Sequence, residues 1–394
     1  MSKAKGLKYY AFFLPQFHSC PYNNRWWGEG FTEWNLVKES RPQFDGHNQP
    51  SVPLDGYYDL NNNEALESQF KEAKEHGIDG FVLYHYWFEG KRPLGAILDR
   101  LLDNPQIEFR FSLCWANQTW SRTWNYKKDR NKVLLHQGYE RSKSEQLKHF
   151  RLLLKAFLDP RYIKIGDSPM FQIYKPEEIP DIAGFIKDLR EFVLAEAGLK
   201  IHIIGVITLY RFDFSYLKLL DGVMLWQPGL AMSAPDVILG PSKPTFNQLF
   251  SAIGRISPRW VQRLLLQVKS KLVRGVKHYD YDKLWQTLLD QYKFALKSKN
   301  KVYTAAFVNF DNSPRYRDKA IVVNGFAPGK FGSYLKKLAR EIAISEEIEH
   351  VVFLFAWNEW GEGAYLQKDE RWQNQRLEVV KESKEYYNQL LDVK

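Results

Sequence analysis

The sequence predicts an α/β fold, a single decorated (β/α)8 TIM barrel, and three observations lead there. Eight short apolar runs rich in β-branched and aromatic residues recur along the 394 residues. Helical patterns separate them, the alternation of a parallel sheet buried on both faces. The runs are spread over about 350 residues, which suits a barrel with insertions better than an open doubly wound sheet of as many strands. No Gly/Ser linker, internal repeat or low-complexity tract divides the chain, so residues 1–394 read as one catalytic domain.

In order, the strands are expected at 9–14, 80–86, 110–115, 169–174, 201–208, 222–226, 302–309 and 350–357. Among the helices, 64–76 places Leu66, Phe70 and Ala73 on one face and stops at Gly77. Helices at 145–158, 181–197 and 332–344 follow the same logic. Two connections exceed simple loops. The first, 16–58, is dense in Trp, Pro, Gly and Asn, and long ordered loops of that kind carry function. The second, about 240–282, contains a basic amphipathic segment at 255–277. There Ile256, Trp260, Val261, Leu264, Leu265, Val268 and Leu272 recur at helical spacing among Arg255, Arg259, Arg263, Lys269, Lys271, Arg274 and Lys277.

A net charge of +10 admits nucleic acid, an anionic membrane or an anionic substrate as partner. The basic segment bears on that choice, and two readings of it stay open: an interfacial anchor on anionic lipid, or a helix packed on the barrel with a solvated basic face. No nucleic-acid motif accompanies it, so nucleic acid is not expected as a partner. Two cysteines, Cys20 and Cys114, are too few for a disulfide framework and lack metal spacing. The N-terminal apolar stretch is broken by Pro15 and Gln16, too short for a secretory signal. No stretch reaches the ~20 apolar residues of a membrane span. A cytoplasmic protein is expected, peripheral at the inner membrane face if the anchor reading holds.

The chemistry should lie where the strands end. LPQFH with His18 follows strand 1, then WWGEGFTEW with Trp27, Glu33 and Trp34. Strand 2 runs into YHYWFEGKR with His85, Trp87 and Arg92, and strand 3 into CWANQTWSRTW with Trp115, Asn117, Trp120 and Arg122. Strand 7 ends in NFDNSPRY with Asp311, Asn312 and Arg315; strand 8 ends in FAWNEWGEGAY with Trp357, Asn358, Trp360 and Tyr365. The sharpest signal is the pair Glu359 and Glu362. Two carboxylates three residues apart, past a buried strand and flanked by glycines, can both face the barrel mouth. Glycosyl transfer needs such a pair, one carboxyl protonated and one ionised. The bland alternative, exposed loop charge, fits poorly with the enclosing aromatic residues. The abundance of Trp and Tyr (13 and 22) exceeds what a core needs and suits stacking on sugar faces. Histidines after strands suggest hydrogen bonding to substrate. Asp280-Tyr281-Asp282 matches a metal-binding Asp-x-Asp pattern but is expected to start a helix. No metal site and no cofactor are expected.

These segments resemble the WbsX-type polysaccharide glycosyltransferases, a family itself similar to the endo-α-mannosidases and endomannanases of glycoside hydrolase family 99. The likeness runs from about residue 7 to 371 through PQFH, WWGEGFTEW, QPSVPLDGYYDL, GIDGFVLYHYWFEGKRPL, CWAN, FDNSPR and AWNEWGEGAYL. It implies a TIM barrel and retaining chemistry through a 1,2-anhydro sugar, with Glu359 as base at the sugar 2-hydroxyl and Glu362 as general acid/base. The chain departs from the family pattern at Gln118, Gln367 and Lys368, where Glu, Glu and Pro would be expected.

Three functions follow. The first is glycosyl transfer in assembly of a bacterial surface polysaccharide (O-antigen or capsule), with a nucleotide-sugar donor and a lipid-linked acceptor. The second is an endo-acting α-glycoside hydrolase of mannosidase type. The third is a catalytically silent carbohydrate-binding barrel. The sequence favours the first.

Overall fold

The computed structural model describes residues 6–122, 132–139, 142–208, 215–234, 238–239, 275–297, 301–345 and 350–392. Eight parallel strands close into a barrel: β1 (Lys8–Phe13), β2 (Gly80–His85), β3 (Phe111–Trp115), β4 (Ser168–Ile173), β5 (His202–Ile207), β6 (Gly222–Leu225), β7 (Val302–Phe307) and β8 (Val351–Phe355). Each pairs with its neighbours in the chain, and β1 pairs with β8, Ala11 opposite Leu354, to complete the ring. Every expected strand is present.

The strands read as continuous apolar runs because both faces are buried. Tyr10, Phe12, Val82, Cys114, Met170, Ile204, Met224 and Phe353 form one cluster inside the barrel. Their neighbours Tyr9, Ala11, Phe13, Phe81, Leu113 and Phe171 join the larger layer beneath the helices. Cys114, inside the barrel, has its thiol pKa pushed up by burial.

Two short helices, α1 (Pro21–Trp27) and α2 (Glu33–Lys38), organise the first long connection. The outer ring holds α3 (Asn63–Glu75), α4 (Ala96–Asp103), α5 (Lys143–Phe157) and α6 (Ile182–Ala197). It continues with α8 (Tyr281–Ala295), α10 (Pro328–Ile344) and α11 (Gln375–Asp392), while the short α7 (Gly229–Met232) and α9 (Ser313–Tyr316) lie at the barrel mouth. On α3, Leu66, Phe70 and Ala73 are buried as expected, and Asn62 caps the helix by accepting from Glu64 N at 2.8 Å. Gly332 lets α10 and α11 close on each other: a Cβ there would sit 2.7 Å from Val379 Cβ.

Of the basic insertion, residues 240–274 lie outside the described residues. At its far end, where 275–277 were expected to close the amphipathic segment, the chain is not helical. Lys277 begins a strand, Lys277–Asp280, parallel to Ile321–Asn324 and antiparallel to Ile238–Leu239. Asp280 then caps α8, accepting from Lys283 N at 2.9 Å, so the Asp-Tyr-Asp sequence starts a helix.

Candidate active site

After β8 the chain forms a tight hairpin: Asn358–Glu359 pairs antiparallel with Ala364–Tyr365. Its base is held to β1, because Asn358 accepts from Leu14 N at 2.7 Å and donates to Leu14 O at 3.0 Å. Gly363 turns it with φ +58, and a Cβ there would meet Asp311 Cβ at 2.9 Å. The hairpin presents Glu359 and Glu362 to the mouth of the barrel, at the C-terminal ends of the strands.

Arg315 of α9 joins the two carboxylates. Its Nη2 donates to Glu359 Oε2 at 2.8 Å and its Nη1 to Glu362 Oε1 at 2.5 Å. From behind, its Nε reaches Glu33 Oε1 of α2 at 2.6 Å. Three carboxyls thus share one guanidinium in a largely dehydrated place: Glu33 is fully buried, Glu359 nearly so, and the Glu362 side chain is 23% exposed. Burial raises the pKa of Glu359 well above the carboxylate range; Arg315 opposes this, while Glu362 and Glu33 push the same way. Glu33 is also raised, by burial first, against the pull of Arg315. Burial works against the Arg315 charge, but the three carboxylates outweigh it and hold its pKa above its ordinary value. One cation cannot neutralise three anions, so the two buried carboxyls, Glu33 and Glu359, favour holding protons.

The packing around Gly361 is as tight. A Cβ on it would lie 1.9 Å from Glu33 Oε1 and 2.8 Å from Arg315 Nε. Gly361→Ala is therefore expected to displace the Glu33–Arg315 pair, to destabilise the protein by roughly 1–3 kcal/mol, and to misplace both hairpin carboxyls. Thermal melts and activity of the variant check this.

The cleft above the pair has a volume of about 570 Å³, within the ~300–1,000 Å³ typical of ligand sites. Its floor is Trp226, edge-on to Phe12 (4.9 Å), Phe355 (4.6 Å) and Tyr174 (5.3 Å). One wall is Trp120, packed against Tyr86 at 4.9 Å and Trp26 at 5.8 Å. Trp27 continues that wall, with the Arg122 guanidinium 5.3 Å from its ring centroid. Tyr84 and Tyr174 line the cleft with pKa values raised by burial first and by the cluster's carboxyls next, so they present neutral hydroxyls.

Of the residues expected at the site, Trp27, Trp120, Arg315, Glu359 and Glu362 line this cleft. Glu33 stands behind Arg315. Trp34, Asn358 and Trp360 form its backing: Trp34 packs on Trp360 at 5.5 Å, and Trp360 stacks on Tyr365 at 3.7 Å. Trp357 points outward, its Nε1 donating to Gln69 Oε1 of α3 at 3.0 Å. Trp115 also faces the helices, against Phe185 and His149. Asn117 ties the loops after β3 and β4 together through Lys175 and Tyr139. Arg122 supports α1 by donating to Trp26 O at 2.6 Å. Asn312 accepts from Ile321 N at 2.7 Å, a loop contact.

The two histidines are also outside the cleft. His85 Nε2 lies 2.9 Å from His149 Nε2 of α5, and burial lowers its pKa to about 3. Trp87 stacks on that same His149. His18 is buried, its pKa lowered by burial against the pull of Asp59. Asp311 and Tyr365 line a second cavity on the other side of the hairpin. Among the departures from the family pattern, Gln118 lines the cleft. Gln367 is a buried amide in the backing, accepting from Trp360 Nε1 at 2.7 Å and from Tyr58 OH at 2.9 Å. Lys368 pairs with Glu72 of α3 at 2.6 Å.

The cleft residues missed from the sequence are mostly the aromatic ones: Trp26, Tyr84, Tyr86, Tyr174, Trp226, Phe310 and Tyr316. Alternation along the strands would have found several. Val82 points inward, so Tyr84 and Tyr86 do too, whereas His85 between them cannot.

Residues 9–380 match the family described as Glycosyltransferase WbsX. The chain belongs to the WbsX glycosyltransferase family. A curated relative, the uncharacterized protein WxcX of Xanthomonas campestris pv. campestris, is 30% identical over 363 residues, covering 92% of this chain and 47% of the relative. The chain thus spans about half the length of the curated relatives it matches. Among solved structures, a glycoside hydrolase-like protein superposes with TM-score 0.59 at 13% identity, covering 97% of this chain and 95% of that one. The GH99 endo-alpha-mannosidase of Bacteroides thetaiotaomicron superposes with TM-score 0.55 at 12% identity, covering 98% of each. These two likenesses show the fold. Among the described residues, no helix is long and apolar enough to cross a membrane.

Proposed function

We propose that the protein transfers a glycosyl unit during assembly of a bacterial surface polysaccharide (an O-antigen or capsule), with retention of configuration and Glu359 and Glu362 as its catalytic pair. The observation that carries the reading is the two carboxyls held by one arginine in the lining of an aromatic cleft. In the reaction implied by the resemblance to glycoside hydrolase family 99, Glu359 takes the proton of the sugar 2-hydroxyl as O2 closes on C1. Glu362 protonates the departing oxygen. In the second half Glu362 takes the proton of an acceptor hydroxyl, whose oxygen bonds to C1 as the C1–O2 bond breaks, and Glu359 returns its proton to O2. A buried base with a raised pKa is a strong base once ionised. The partly exposed Glu362 suits a group that must meet both leaving group and acceptor. The neutral tyrosines and the Trp120 wall would hold the sugar rings.

The same site would serve an endo-acting α-glycoside hydrolase if water takes the acceptor's place, and the solvent exposure of Glu362 is the feature favouring that alternative. The test offers the protein nucleotide sugars with a lipid-linked acceptor, and separately α-linked oligosaccharides. Product formation that requires the nucleotide sugar supports transfer. Release of reducing ends without it supports hydrolysis and overturns the transferase reading. Glycan binding that Glu359→Gln and Glu362→Gln preserve, with no activity in either assay for the parent, would indicate a silent binding barrel. In any of these cases Trp120→Ala is expected to weaken saccharide binding by about 1–2 kcal/mol, roughly tenfold, measured by calorimetric titration. Association with anionic membrane through residues 255–277 remains part of the proposal, tested by liposome binding before and after deletion of 257–277.

A further inference from the structure

The hairpin that carries Glu359 and Glu362 has a second cavity against its other side, about 200 Å³, lined in part by Asn309, Asp311, Gly363, Arg371, Trp372 and Arg376. It is smaller than the ~300–1,000 Å³ of sites for drug-sized ligands, and has room for about one small ring. Its back wall is Arg376 of α11, whose side chain is 5% exposed. The guanidinium lies over Tyr365 (4.5 Å to the ring centroid) and Phe326 (5.4 Å). Only Nη2 is used, donating to Asp369 Oδ2 at 2.8 Å. Nε and Nη1 are buried and have no acceptor among the described residues. The Oδ1 of Asn309, on the same cavity, is likewise buried with no donor.

Leaving a buried charged donor unpaired costs more than an ordinary hydrogen bond returns, so two idle guanidinium nitrogens on a residue that lines a cavity point to something that binds there. The carboxylates of the wall do not fill the role. Asp311 accepts from Gln49 at 2.6 Å and lies 2.8 Å from His47 Nε2. Asp369 accepts from Arg376, from Tyr365 OH at 2.7 Å and from Trp372 N at 2.6 Å. The free hydrogen-bonding capacity is thus one cationic donor and one neutral acceptor, beside the ring of Trp372, over which Arg371 lies at 5.0 Å. An oxyanion matches the arginine. A hydroxyl matches Asn309. A ligand carrying both on a small ring is an acidic sugar.

We propose that this cavity binds an acidic monosaccharide unit, its carboxylate or phosphate on Arg376 and a ring hydroxyl on Asn309. The site lies outside the catalytic cleft but shares backbone with it, because Asp311 N donates to Glu362 O at 2.6 Å. Occupancy there would bear on the strand end that holds Glu362. The proposal does not depend on which reaction the carboxyl pair performs.

Isothermal titration of the full chain with glucuronate, glucose 1-phosphate and glucose tests it. One or both acidic sugars are expected to bind at least tenfold more tightly than glucose, since a hydrogen bond to a charged group is worth roughly that factor. Binding of glucuronate alone identifies a carboxylate site, and of glucose 1-phosphate alone a phosphate site; binding of both identifies a general oxyanion site. Arg376→Lys keeps the charge beside Asp369 but removes the extra donors, and is expected to weaken that binding about tenfold. Asn309→Leu should weaken it severalfold, and Glu359→Gln in the other cleft should leave it unchanged. Circular dichroism checks folding, and if Arg376→Lys does not fold, Asn309→Leu and the exposed Arg371→Ala decide. Absence of acidic-sugar binding up to ~10 mM, glucose binding as tightly, or affinity unchanged in the folded variants overturns the proposal.

Discussion

Glu359→Gln is expected to lose roughly 10²–10⁴-fold in turnover and to melt at a higher temperature than the parent protein at neutral pH. Both effects come from one cause. Glu359 is nearly fully buried, with Glu33 and Glu362 beside the same arginine. Its pKa is raised in the folded protein, above the ~4.3 of a free glutamate. The protonated form therefore stabilises the fold fully below the unfolded pKa, and that contribution is lost as pH rises through the folded pKa. Above that folded pKa the ionised side chain is a cost, kept, on the proposed mechanism, because the reaction needs a base. Glutamine has the shape without the charge, so the variant should gain stability of the size seen for other active-site replacements, roughly 0.5–2 kcal/mol. The gain should shrink toward pH 4, where the parent carboxyl is protonated as well. Melting temperatures of both proteins across pH 4–8, with kcat/KM of the parent over the same range, check the account. The activity of the parent should fall on the acid side at a pH above the ordinary carboxylate range. A Glu359→Gln protein less stable than its parent at pH 8 would contradict it.

The sequence made the barrel legible because strands buried on both faces leave short runs of Val, Ile, Phe and Tyr, and these recur with helical patterns between them. It made the carboxyl pair legible because Glu359 and Glu362 share one short motif, whose glycines mark a tight turn. What it hid depends on closures distant in sequence. Arg315 and Glu33 are 282 residues apart, and nothing local to either shows that they pair behind the hairpin. The dense aromatic motifs were ambiguous for another reason. A residue next to a strand end faces either the mouth or the helices, and only the two-residue alternation decides. By that rule His85 and Trp115 face the helices, while Tyr84 and Tyr174 face the cleft. Trp34 and Trp360 stand near the carboxyl pair without entering the cleft, packed behind the hairpin that carries Glu359 and Glu362. The motif that resembles a family is in this sense partly a site and partly its support.

Arg315→Met should destabilise the protein by about 3–5 kcal/mol at neutral pH, the cost of leaving buried charge uncompensated. It should also abolish activity. The argument turns on which side of the balance each group occupies. Removing one of three carboxyls leaves a cation still served by two anions; removing the cation leaves three carboxyls crowded together, one of them fully buried. The damage must therefore depend on pH. As pH falls Glu33 and Glu359, whose pKa values are raised, take up protons, and the difference between variant and parent should narrow as pH is lowered from 8. Arg315→Lys offers a sharper comparison. Lysine retains the charge, but a single ammonium cannot span Glu33 behind it and both hairpin carboxyls in front as the flat guanidinium does. It should recover part of the stability and little of the activity. The double variant Glu33→Gln with Arg315→Met should be less impaired in stability than the sum of the single effects, because groups in one network are not additive. Strict additivity would mean that Glu33 and Arg315 do not act as a unit, and that something other than their ion pair holds the hairpin in place.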